Sequence, residues 1–146
     1  MDNTLNSSNP IPDRILPKLD PDNIGFWTSG HDSVLRINRC QQCRHYIHPP
    51  TTMCPVCESF DVRLEGVSGS GTVVSYTINR YRWRVGFDPP YCVALVELDE
   101  QPFLRLVANI VDMSIEDISV GMRVAVGFQQ YGEIFVPVFA RASIGS

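Results

Sequence analysis

The sequence predicts a mainly β protein: a short N-terminal helix, a small ribbon held by a metal, and a five-stranded barrel. Three observations predict it. Four cysteines recur as C-x2-C, ten residues, C-x2-C. Five runs rich in β-branched and aromatic residues follow residue 69, each bounded by Gly, Pro or Asp. Eleven prolines and ten glycines in 146 residues leave little room for long helices. That length suits one domain, or one domain with a small module.

Residues 1–19 are polar and proline-containing, an arm without its own core. The stretch DPDNIGFWTSG follows. Asp20 suits a helix cap, Pro21 the first turn and Gly30 the end. Ile24 and Trp27 share a face with Phe26 beside it, so the helix is expected to dock by its aromatics. Phe26 and Trp27 are also candidates for a partner-facing anchor, because interfaces enrich such residues. VLRINR, residues 34–39, alternates and reads as a strand leading into the cysteines.

In CQQCRHYIHPPTTMCPVC, two residues between cysteines let both thiolates of a pair face one ion from a tight turn. Two such knuckles make a tetrahedral site from Cys40, Cys43, Cys54 and Cys57, which suits Zn²⁺, with iron as the alternative. The ten-residue gap fits two short strands and a turn, the outline of a zinc ribbon. Four cysteines fill the coordination sphere, so the site is structural and stabilises a module with little core. His45 and His48 read as surface residues of the intervening loop, and His31 has no evident partner. Cys92 opens an apolar strand and reads as a small core residue, with no base nearby to make it a nucleophile.

The barrel strands are expected within GTVVSYTINRYRW (71–83), YCVALVEL (91–98), FLRLVANIV (103–111), RVAVGFQQY (123–131) and IFVPVFARA (134–142). VRLEG is expected to feed the first of them. Ser114 followed by Asp117 suggests a capped helical turn before the fourth strand. Five strands with that turn point to an OB-fold, while an SH3-like barrel or small sandwich fits the same pattern. The expected division is 1–36 for arm and helix, 37–63 for the ribbon and 64–146 for the barrel.

Catalytic signatures are missing from the sequence: no nucleophile elbow, zinc-protease helix, phosphate loop or dinucleotide fingerprint. VSGSGTV enters a strand and reads as a turn or bulge. Glu97 and Asp99 share a strand face and read as a solvated strand end. These features favour a binding or accessory role. No apolar run reaches bilayer length, and the N-terminus lacks the pattern of a secretory signal, so a cytoplasmic protein is expected. A net charge of -4, with one lysine, argues against a general nucleic-acid binder.

The stretch RYRWRVGF, residues 80–87, stands out against that charge. If extended, Arg80, Arg82 and Arg84 face one way and Tyr81, Trp83 and Val85 the other. Aromatics and arginines on an OB-fold also raise a second reading, a module that stacks single-stranded nucleic acid. GFDPPY then makes a proline-stiffened loop that carries Phe87 and Tyr91, a docking finger or lid.

FW in a short helix, RC-x2-C-x5-PP-x3-CPVC-x-S, G-x-GTVVSYT, PPY-x-VALVEL and SVGMRVAV, in that order, resemble the DUF35 family from about residue 24 to 142. The resemblance implies a rubredoxin-like zinc ribbon followed by an OB-fold, associated with acyl-CoA. It implies a partner subunit of thiolase-superfamily proteins, in which the partner holds the catalytic residues. Known settings are retro-aldol cleavage of steroid side chains, coupling of acetoacetyl-CoA thiolase to hydroxymethylglutaryl-CoA synthase, and thiolysis of benzoylsuccinyl-CoA; of these the resemblance implies a thiolase partner first and the retro-aldol partner next. In that setting Arg80, Tyr81, Arg82, Trp83, Arg84, Phe87 and Tyr91 become candidates for contact with the partner or CoA phosphates. Arg44 departs from the pattern, standing where the family commonly has glycine.

Overall fold

The computed structural model describes residues 16–81 and 89–142. The Asp20 carboxylate accepts the backbone N–H groups of Asp22 and Asn23, and this turn launches helix α1 (Ile24–Thr28). The helix is shorter than expected. After Thr28 the chain tightens into a 3-10 turn, Ser29–Asp32, and stops at Ser33, which takes a left-handed φ of 66°. Gly30 is not the stop. It is there because a Cβ would lie 2.7 Å from the Phe128 ring and 2.9 Å from Phe135 Cβ.

The expected shared face of Ile24 and Trp27 is also corrected. Phe26 is the buried anchor, Trp27 stands edge-on to it at 4.9 Å, and Ile24 is 46% exposed. A five-residue helix has room to bury one ring, and α1 packs against β1 (Arg36–Cys40) and β8 (Ile134–Arg141).

β1 is the centre of a three-stranded antiparallel sheet, between β2 (Tyr46–Ile47) and β3 (Val62–Gly66). β3 does not feed the barrel. It pairs with β1 along its whole length, from Arg36↔Gly66 to Cys40↔Val62, so the 63/64 boundary falls inside this strand.

β4 (Ser70–Asn79), β5 (Tyr91–Leu98), β6 (Arg105–Ile110), β7 (Arg123–Tyr131) and β8 close into a barrel of order β4-β5-β6-β8-β7. β6 and β8 meet in parallel at Ile110↔Phe139, and a 3-10 turn, Ile115–Asp117, precedes β7. This is the five-stranded Greek-key barrel of an OB-fold. The cap expected at Ser114 does not form, because its hydroxyl bonds the Glu116 carboxylate instead. Strict alternation sends Cys92, Ala94, Val96 and Leu98 inward along β5. Cys92 is a core residue, and burial pushes its thiol pKa up.

Before β4, Gly69 turns at φ 79°; within β4, Gly71 crosses close to β5, where a Cβ would lie 2.7 Å from the Glu97 carbonyl. A bulge between Val73 and Ser75 completes that crossing. The strand end at Glu97 and Asp99 is not merely solvated. Arg105 Nε contacts Glu97 at 3.0 Å, and Arg123 grips Asp99 in a fork at 2.6 and 2.7 Å.

Ribbon and barrel share one core. Phe26, Leu35, Ile37 and Tyr46 join Val73, Val96, Leu106, Phe128 and Phe139 in a single apolar cluster. Two hydrogen bonds clamp the junction: the Tyr46 N–H donates to Gln101 Oε1 at 2.8 Å, and Gln101 Nε2 donates to the Tyr46 carbonyl at 3.1 Å. No helix of the described residues is long and apolar enough to cross a membrane.

Candidate metal centre

The end of β1 and the loop before β3 fold into two matching knuckles. In the first, the Arg44 N–H donates to the Cys40 carbonyl at 3.0 Å; in the second, the Glu58 N–H donates to the Cys54 carbonyl at 2.9 Å. Backbone N–H groups of Cys43 and Val56 point at Cys40 Sγ and Cys54 Sγ, each at 3.4 Å. Such donors stabilise a thiolate, and the Cys43 N–H holds the Cys40 pKa down to about 6.

Each knuckle closes through a left-handed residue, Arg44 at φ 67° and Glu58 at φ 66°. This is the conformation that glycine supplies most cheaply. Arg44 adopts it nonetheless, and its guanidinium reaches Gln41 Oε1 at 3.0 Å and Glu65 at 3.1 Å. The substitution leaves the knuckle geometry intact.

The two knuckles bring four sulfurs together. Cys40 Sγ lies 3.5 Å from Cys57 Sγ, Cys43 Sγ lies 3.6 Å from Cys54 Sγ, and all four lie within 4.8 Å of one another. A tetrahedral ion with metal–sulfur bonds of about 2.3 Å requires sulfur separations of about 3.8 Å. The donor set therefore fits a tetrahedral metal that prefers soft ligands, and thiolates take every position around it.

The intervening histidines differ from one another. His45 contributes its backbone carbonyl, which accepts the Cys40 N–H at 2.9 Å. His48 is not a loose loop residue. Its ring packs on Phe26 at 4.8 Å, its Nδ1 is buried without a partner among the described residues, and burial lowers its pKa to about 4. His31 is exposed.

The partner candidates scatter. Phe26 sits in the core with its ring against Trp27 and His48, and Trp27 is half-buried beside it. β4 ends at Asn79, so the extended run does not continue through Arg80 and Tyr81; both are exposed, and the Tyr81 N–H donates to Asn79 Oδ1 at 2.9 Å. Tyr91 is half-buried, its hydroxyl 2.6 Å from Asn79 Nδ2. Arg82, Trp83, Arg84 and Phe87 lie outside the described residues.

Sequence reasoning missed the exposed apolar groups of β6 and its approach. Phe103 and Val107 both face solvent. FLRLV has apolar residues on both faces, so its alternation gave no sign of which face turns outward.

Residues 27–63 match the family model of the ChsH2 rubredoxin-like zinc ribbon domain, and residues 65–129 that of the ChsH2 C-terminal OB-fold domain. The chain is 36% identical over 130 residues to a probable enoyl-CoA hydratase alpha subunit of Thermomonospora curvata; the match covers 88% of this chain but only 40% of that relative. A DUF35 domain-containing scaffold protein of Pyrococcus furiosus is 37% identical over 101 residues, covering 68% of this chain and 72% of the relative. Among solved structures, a chain of the Ltp2-ChsH2(DUF35) aldolase superposes with a TM-score of 0.80 at 36% identity, over 88% of this chain and all of that one. A DUF35-family protein of unknown function from Sulfolobus solfataricus shares the fold, with a TM-score of 0.59 at 14% identity over 84% of this chain and 86% of its own.

Proposed function

Because the chain belongs to the DUF35 family, which joins a rubredoxin-like zinc ribbon to an OB-fold, we propose that it is a non-catalytic accessory subunit of a carbon–carbon bond-cleaving complex. The partner is a thiolase-superfamily protein acting on an acyl-CoA thioester, by retro-aldol or thiolytic cleavage. The observation that carries this reading is a likeness, over 88% of this chain, to one chain of an aldolase assembly. That likeness favours the retro-aldol partner over the thiolytic one. The words enoyl-CoA in the name of the Thermomonospora relative support a thioester as substrate class.

The site chemistry agrees with an accessory role. Cys40, Cys43, Cys54 and Cys57 would hold Zn²⁺, which supplies folding free energy there and leaves no open position for substrate. The remaining cysteine, Cys92, is buried in the barrel and kept as a thiol. The β4–β5 connection, with Arg80, Tyr81, Arg82, Trp83, Arg84 and Phe87, is the proposed contact with the partner or with CoA phosphates.

Nucleic-acid binding draws little support. Six of the chain's twelve lysines and arginines, Arg36, Arg39, Arg44, Arg63, Arg105 and Arg123, each pair with a carboxylate of this chain, which weakens their pull on a phosphate backbone.

The test is co-expression with neighbouring thiolase-superfamily genes, followed by co-purification and an acyl-CoA cleavage assay. A stable complex whose partner loses activity when this chain is withheld supports the reading. A chain that stays alone, beside a partner fully active without it, refutes it.

A further inference from the structure

We infer that the partner protein docks on the outward face of β5 and β6, with Phe103 as its anchor; this rests on the accessory-subunit reading above. β5 and β6 are the second and third barrel strands, the face on which OB-folds commonly carry their ligands. The two-residue period puts Leu104, Leu106 and Ala108 in the core and turns Phe103, Arg105 and Val107 outward. Phe103 is 79% exposed and Val107 72%. Val107 lies opposite Leu95 and Arg105 opposite Glu97, so the apolar stripe is two strands wide.

Phe103 is held in this position against its own preferences. Its φ is 64°, a left-handed conformation that bulky side chains rarely adopt. Three contacts fix it. Its N–H donates to Glu97 Oε1 at 3.2 Å, the Arg105 guanidinium lies 4.8 Å from the ring centroid, and Arg105 Nε reaches the same Glu97 oxygen at 3.0 Å. Backbone strain fixed by neighbours, at a residue that presents a ring to water, describes a preorganised contact. Aromatic anchors of this kind dominate binding when they fill a pocket on a partner.

The chemistry of the face selects a protein. Single-stranded nucleic acid needs stacking aromatics along a cationic groove. This face offers Val93, Leu95, Val107 and Phe103, and its Arg105 is neutralised by Glu97. Two relatives indicate the occupant. In the Thermomonospora protein the matching region is 40% of a longer polypeptide, and the aldolase structure names Ltp2 beside its ChsH2 chain. In both, the module accompanies another protein body, so the partner subunit takes precedence over a second copy of this chain.

The experiment measures the Kd of the full-length chain for the product of the neighbouring thiolase-superfamily gene. Phe103→Asn and Val107→Asp should each weaken binding at least about 30-fold, as loss of an anchor does. Asn tolerates the left-handed conformation, so Phe103→Asn should also raise Tm, separating lost binding from lost folding. Phe60→Asp, which alters an exposed ring on the ribbon, should stay within about threefold of wild type, as a surface change away from an interface does.

Wild-type affinity in both face variants, with the complex intact, overturns the inference and leaves the accessory role standing. Loss of binding in Phe60→Asp alone moves the docking face to the ribbon and also overturns it. A homodimer dispersed by Phe103→Asn makes a second copy the occupant, and oligothymidine binding abolished by that variant makes it nucleic acid; either refutes the assignment. If the wild-type chain binds no such subunit, the accessory reading fails and the inference with it.

Discussion

Removing the metal should unfold the tip of the ribbon and spare the barrel. The perturbation is a strong chelator, or Cys54→Ser. Ordering the tip, residues 41–61 apart from Tyr46, costs about 20 kcal/mol of backbone entropy at about 1 kcal/mol per residue. Its own core is small: Cys40, Ile47 and Cys54, with Cys57 and Val62 at the margin. Burying those groups returns about 4 kcal/mol. The knuckle hydrogen bonds of Cys40, Arg44, Cys54 and Glu58 return about another 4 kcal/mol. A structural zinc site is worth about 10–16 kcal/mol, which closes the balance. Without it the tip is unstable by about 10 kcal/mol or more on these terms.

The base of the ribbon differs, because Leu35 and Ile37 are buried in the barrel core, and Tyr46, though flanked by tip residues, is anchored there with them. Hydrogen–deuterium exchange with mass spectrometry reads the two regions separately. Peptides spanning 49–61 should lose protection by about a thousandfold or more, the equivalent of about 4 kcal/mol. Peptides of β5 and β7 should keep theirs. Unchanged protection across 49–61 after metal removal would refute the reasoning. So would loss of β5 and β7 together with the tip, since the core would then depend on the metal.

Other outcomes follow from single contacts. Gly30→Ala pushes a methyl into the Phe128 ring and the Phe135 Cβ, so it should cost about 1–3 kcal/mol; urea denaturation with an unchanged midpoint would contradict the packing. His48 has a folded pKa of about 4, below the ordinary 6.5, so the unfolded chain binds the proton first. Its contribution is complete above pH ~6.5 and is lost as pH falls towards ~4, up to about 3 kcal/mol in all; an NMR titration of the imidazole with a midpoint near 6.5 would disprove it. Glu58→Gly relieves a left-handed backbone at an exposed turn and should change stability by less than about 1 kcal/mol, towards stabilisation, with metal content unaltered in elemental analysis. Trp83→Ala and Arg84→Ala should weaken assembly or thioester turnover while bound metal is retained; intact assembly and turnover would remove that segment from the interface.

The cysteine spacing determined the metal centre outright, because a C-x2-C knuckle is local: its geometry is set within a few residues of each thiol. The barrel strands were legible for a similar reason, since alternation and flanking breakers are written along the chain. Tertiary structure decided the rest. It assigned VRLEG to the ribbon through a ladder with β1, a pairing that either neighbour could have offered. It buried Phe26 and His48 against each other and left Ile24 in water, because a short helix has no room for a second anchor. It gave Glu97 and Asp99 their arginines from β6 and β7. In FLRLV, where both faces are apolar, only barrel closure chose which side packs inward, and so which ring, Phe103, is left in solvent.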